Sequence, residues 1–132
     1  MDFDWLEYLD FAKHCSGSSE ESTLRIAISR AYYCVFNKAG IFAKDHLGYE
    51  RGHDQSHKRM WLEFRNQPGQ TSSAIYNKGM DLKRKREQAD YEAQFSGLRA
   101  DTLTIVLADA EALLVYLEQL VKSKADGERA KH

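Results

Sequence analysis

The sequence predicts an all-α fold, a helical bundle organised around two long helices. Three observations carry this. The chain contains a single proline, Pro68. Apolar residues recur at spacings of three and four over long stretches, the period of one helix face. Two of these stretches are long enough to form continuous packing seams, and helices with such seams pack side by side at shallow angles.

Taken in order, the elements are these. A first helix is expected over residues 2–15, with Phe3, Leu6 and Leu9 turned inward. The segment GSSEES at 17–22 supplies serines as N-caps followed by glutamates, a start signal for a second helix. That helix should cover 20–46, roughly 40 Å of helix, with Leu24, Ile28, Ala31, Val35, Ala39 and Phe42 forming its inner stripe. Gly48 and the charged segment YERGHDQSH make a connection. A short helix at 55–66 carries Met60, Trp61 and Phe64. The turn at Pro68 and Gly69 breaks the chain. A fourth helix follows at 72–91, with Ile75 and Leu82 on its inner face, and Gly79 weakens its middle by about 1 kcal/mol relative to alanine. The last helix is the most regular, with a seam of Leu103, Val106, Ala110, Leu113, Leu117 and Leu120.

The 132 residues suffice for one domain with a real core, placed at 1–126, followed by a charged tail at 127–132 that is expected to fray. Hydrophobic residues make up 42% and charged residues 30%, a globular balance rather than a disordered one. The formal net charge of −1 excludes a polyelectrolyte, so any nucleic-acid binding must come from a local patch. Cys15 and Cys34 stand in no metal or redox spacing and read as free thiols. No apolar run approaches the ~20 residues of a membrane span, and the acidic N-terminus does not resemble a signal peptide. A cytoplasmic protein without membrane contact is therefore expected.

Charge is nonetheless segregated. Residues 1–21 hold six acids against Lys13, whereas 78–86 hold Lys78, Lys83, Arg84, Lys85 and Arg86 against Asp81. The basic cluster reads either as a solvated face, with Lys83–Glu87 and Arg86–Asp90 pairs at i, i+4, or as a phosphate-binding patch, for which the planar arginine fork is suited. Arg86 and Ala89 continue the Ile75–Leu82 stripe, so Arg86 should turn inward or toward a subunit interface. It would then need an acid partner, with Asp90 the local candidate and Tyr91 a hydrogen-bonding neighbour. Tyr32 and Tyr33 lie beside the second-helix stripe. Either they are core aromatics, or one hydroxyl lines, with Arg30, a groove facing the 82–91 helix. His14 and His46 read as helix-end residues and His132 is terminal. His53 and His57 lie four apart and would share a helix face, but no HExxH-like acid accompanies them, so no metal site is expected. Arg51 precedes His57 by six residues, in a connection.

Two segments belong together: SRAYYCVF at 29–36 and LKRKREQADY at 82–91. Through Ser29, Arg30, Ala31, Tyr32, Tyr33 and Phe36, and through Leu82, Arg86, Ala89, Asp90 and Tyr91, the chain resembles the HEPN domain family, small helical proteins of prokaryotic toxin–antitoxin and defence systems. The resemblance extends from about residue 5 through the final helix. It implies an up-and-down bundle of four to five helices and a homodimer. In catalytic members it implies metal-independent endoribonuclease chemistry without a cofactor. There an arginine stabilises charge on the reacting phosphate and a histidine four to six residues later handles a proton, the two paired across a dimer cleft. This chain departs at that point. Five residues after Arg84 stands Ala89, and four to six after Arg86 stand Asp90, Tyr91 and Glu92. No histidine appears, so the phosphate-holding half is present and the usual proton-handling half is not.

The resemblance assigns Arg86, Asp90 and Tyr91 to the catalytic position. Arg30, Tyr33, Lys83, Arg84 and Lys85 are the RNA- or phosphate-binding candidates, and His53 and His57 the substitute proton carriers. Three readings follow: an RNA-engaging HEPN dimer of a toxin–antitoxin or anti-phage system, a non-catalytic HEPN subunit that binds a protein partner such as a nucleotidyltransferase or antitoxin, and a bundle whose groove, lined by Arg30, Tyr33 and Arg86, binds a nucleotide or other small polar ligand.

Overall fold

A computed structural model describes residues 2–50, 56–99 and 101–130. Five helices follow one another: α1 (Leu6–His14), α2 (Glu21–His46), α3 (His57–Arg65), α4 (Gln70–Tyr91) and α5 (Thr102–Ala130). Among the described residues there is no strand. The fold is an all-α bundle with α2 at its centre, packed against each of the other four helices, while α4 also packs on α3 and α5.

The expected stripe of α2 is buried along its whole length: Leu24, Ile28, Ala31, Val35, Ala39 and Phe42. Because α2 is contacted from several sides, Ala27, Tyr32, Cys34, Phe36 and Ala43 are buried as well. Leu103, Val106, Ala110, Leu113 and Leu117 of α5 close the core, and Leu120 packs at its edge. Met60, Trp61 and Phe64 bring α3 onto α4.

Two local expectations are corrected. Leu9 of α1 is buried, but Phe3 and Leu6 are 47% and 39% exposed. The helix is only nine residues long and meets the bundle through Leu9 and Ala12. Phe3 instead stacks edge-on against Trp5, and Leu6 lines an apolar groove with Ile41, Phe42, Leu114, Leu117 and Val121. The serines before α2 do not cap its helical amides. Glu20 occupies the cap position without a side-chain cap bond, and Ser18 Oγ accepts the Glu20 amide one step outside the helix.

Further along, Gly69 precedes α4 with φ of 98°, a left-handed conformation that favours glycine. His14 and His46 are the last residues of α1 and α2. Helix α5 continues past position 126 to Ala130, with residues 122–129 exposed. Cys15 is half-buried and Cys34 buried, both as free thiols. No described helix is long and apolar enough to cross a membrane.

Candidate functional site

The stripe of α4 that begins with Ile75 and Leu82 delivers Arg86 to the helix's inner face, where it is 6% exposed. Its guanidinium carbon lies 5.3, 5.4 and 5.6 Å from the ring centres of Tyr32, Tyr33 and Tyr91. Arg86 thus sits in a cage of three tyrosines. Cation–π attraction contributes about 2 kcal/mol at a desolvated ring such as Tyr32 and about 0.5–1 kcal/mol at an exposed one such as Tyr91.

Conventional pairing of this cation is thin. Nη1 donates to Tyr91 Oη at 3.4 Å and approaches Asp90 Oδ2 only to 3.8 Å. Asp90 Oδ2 also accepts from Ser29 Oγ of α2 at 3.2 Å. The Nε of Arg86 is buried and has no hydrogen-bond partner among the described residues. A guanidinium has five N–H donors, and burying one that is so sparsely matched costs free energy unless an anion completes it.

Arg86 opens onto a cleft of about 570 Å³ lined by Tyr33, Ser56, His57, Lys83, Glu87, Tyr91 and Glu92. That volume lies within the roughly 300–1,000 Å³ of small-ligand sites. On the side opposite α4 stands His57, the first residue of α3. Its ring stacks on Phe36 at 4.0 Å between centres, and its Nδ1 is 2.9 Å from Tyr32 Oη. Trp61 Nε1 donates to the same Tyr32 oxygen at 3.1 Å. An indole N–H can only donate, so the tyrosine's own proton is best directed at His57 Nδ1, an assignment made from the network. Burial pushes the Tyr32 hydroxyl pKa well above the usual tyrosine range, which keeps that proton in place.

The structure sorts the sequence candidates. Tyr33, Lys83, Arg86, Tyr91 and His57 share the cleft. Asp90 lies behind it, between Arg86 and Ser29. The basic run 83–86 diverges, as neighbours 100° apart on a helix must. Lys83 pairs with Glu87 as expected, and Arg84 pairs on the exposed surface with Asp81 at 2.8 Å. Lys85 lines a separate pocket beside Phe95, Arg99 and Thr102. Arg30 turns to α1, its guanidinium carbon 5.0 Å from the Tyr8 ring, and is not among the cleft's lining residues. Arg51, His53 and His132 lie outside the described residues.

One contributor is absent from the sequence reading. Arg25 of α2 donates from Nη1 to the carbonyls of Gln88, Ala89 and Glu92 at 3.3, 3.0 and 2.7 Å, and from Nη2 to that of Ala93 at 3.4 Å. Its Nε is held by Glu21 at 3.0 Å. It therefore satisfies the open carbonyls at the end of α4 and fixes the turn that carries Asp90 and Tyr91. The only signal in the sequence is its position one helical turn before Ser29, on the same face.

Among the described residues there is no group of three or more histidine, cysteine or acidic side chains able to hold a metal ion. Comparison with family models, with curated proteins and with solved structures finds no match to this chain.

Proposed function

We propose that this chain is a HEPN-type, RNA-engaging protein of a toxin–antitoxin or anti-phage system, and that its cleft holds an RNA phosphate on Arg86. The observation that carries this reading is the guanidinium itself: buried in a tyrosine cage, bordering an open cleft, with one long hydrogen bond and an unmatched Nε. An anion arriving there would complete the pairing that Asp90 at 3.8 Å does not. If the phosphodiester is cleaved, Arg86 would stabilise the charge that develops on phosphorus oxygens. His57, on the facing helix, is the candidate for the proton-handling role that the family places on the arginine's own helix. Asp90 and Tyr91 would orient Arg86 rather than transfer protons.

A second reading is favoured by the cleft's charge. Lys83 and Arg86 share the cleft's lining with two acids, Glu87 and Glu92. Such a surface does not track a long phosphate backbone, and suits a non-catalytic HEPN subunit that binds a protein partner such as a nucleotidyltransferase or antitoxin.

Incubation of the purified protein with total RNA in excess EDTA tests the choice, alongside Arg86→Ala and His57→Ala variants shown to be folded by circular dichroism. Cleavage by wild type, lost in both variants, is the expected outcome for the catalytic reading. Cleavage that survives Arg86→Ala would refute the assignment of the site. Absence of cleavage by wild type, with RNA binding still abolished by Arg86→Ala, would leave an RNA-binding protein without nuclease activity. Sedimentation of the same sample tests the homodimer that the resemblance implies.

A further inference from the structure

We infer that the cleft takes a single nucleotide unit, one phosphate on Arg86 with its base stacked on Tyr91. The inference rests on the reading of the cleft as a phosphate site and specifies what that site recognises.

The supply of charge limits the site to one phosphate. Of the four consecutive basic residues, Lys83 is engaged by Glu87, Arg84 by Asp81, and Lys85 lines a different pocket. Arg86 is the one of the four that is buried, and it lines the cleft. Glu87 and Glu92 stand on that same wall and would repel a second phosphate placed near the first.

Tyr91 supplies the second half of the site. Its ring packs near the guanidinium with a centre 5.6 Å from the guanidinium carbon, yet the residue is 75% exposed. A large aromatic left this open, beside a cation that seeks an anion, is a platform for a planar group one sugar away from the bound phosphate. Stacking of a base on such a ring is tolerant of base identity and contributes about 1–3 kcal/mol. Tyr32 and Tyr33 hold the other sides of Arg86; Tyr32 is fully buried and Tyr33 half-buried, so Tyr91 is the most open ring of the three. A duplex, whose bases are paired and stacked, cannot present this combination to a buried arginine.

The test is calorimetric titration of the intact protein with adenosine monophosphate, ribose 5-phosphate and a single-stranded oligoadenylate, each over a range of salt concentrations. The expected slope of log K against log salt is about −0.7 for the oligonucleotide, the value for one phosphate contact on a single strand. Tyr91→Ala should weaken adenosine monophosphate about tenfold more than it weakens ribose 5-phosphate, while Tyr91→Phe, which keeps the ring and loses only the hydroxyl that meets Arg86, should affect the two ligands equally. A slope of about −2 or steeper, equivalent to three contacts, would overturn the inference and leave the phosphate site standing. Equal weakening of both small ligands by Tyr91→Ala would also overturn it, by showing that Tyr91 acts only through Arg86. Binding of none of the three ligands would overturn the phosphate site as well.

Discussion

Arg86 is the residue on which this molecule spends stability. A cation enclosed by three rings and lacking full hydrogen bonding is worth less to the fold than an apolar side chain of similar length. Arg86→Met should therefore leave the urea unfolding midpoint unchanged or raise it, by up to about 2 kcal/mol in free energy, while phosphate binding is lost. A midpoint that drops by a comparable amount would mean that the cage and the Asp90 contact make Arg86 a structural ion pair. The residue was placed on the inner face by its spacing from Leu82 alone, and Asp90 and Tyr91 by their adjacency. The cage was not legible, because two of its walls come from α2, more than fifty positions earlier in the chain, and sequence spacing says nothing about which face of one helix meets another.

At the scale of the element, α4 and α3 depend on one close contact. Gly79 reads in the sequence as a weak point of α4. In the structure it is the place where the helix receives Trp61: a Cβ built at Gly79 would overlap the indole ring. Trp61 is fully buried and cannot withdraw without breaking its bond to Tyr32. Helix propensity predicts that Gly79→Ala stabilises the protein by about 1 kcal/mol. Overpacking predicts the reverse, a loss of about 1–3 kcal/mol, and that is the expected result in thermal denaturation. Since Trp61 and Tyr32 also orient His57, the same variant should disturb the cleft's ring stacking. A Gly79→Ala protein as stable as wild type would show that α3 sits loosely enough on α4 for Trp61 to give way. Helix α1 makes the complementary point. Its apolar pattern continues to Phe3, but burial ends where the short helix leaves the bundle.

For the whole molecule, the central position of α2 buries titratable groups along with the core. Burial pushes the Cys34 thiol up to about 11 from 9.0, and the Tyr32 hydroxyl above its usual range. The sign follows from linkage. Below about pH 8 both groups are protonated in the folded and unfolded chains, so they add no pH dependence. As pH rises toward 11, the unfolded chain loses these protons first and stability falls. The urea midpoint should therefore decline between about pH 8 and about pH 10.5, and Cys34→Ala should decline less. An identical decline in that variant would mean that Cys34 is not desolvated in solution.

Read by itself, the sequence determined the number and order of the helices, most of the buried stripes, and the inward turn of Arg86. These follow from local rules: period, turn signals and i, i+4 adjacency act within one element, and burial then selects the face that the period marks. The tertiary structure alone decided the rest. It chose which basic residues meet at one cleft, brought His57 of α3 opposite Arg86, closed the tyrosine cage from two helices, and set Arg25 on the end of α4. Those outcomes depend on how helices are rotated and seated against one another. A side chain's neighbours across such an interface are set by the shapes of residues distant in the chain, as Gly79 and Trp61 show, and no local spacing encodes them.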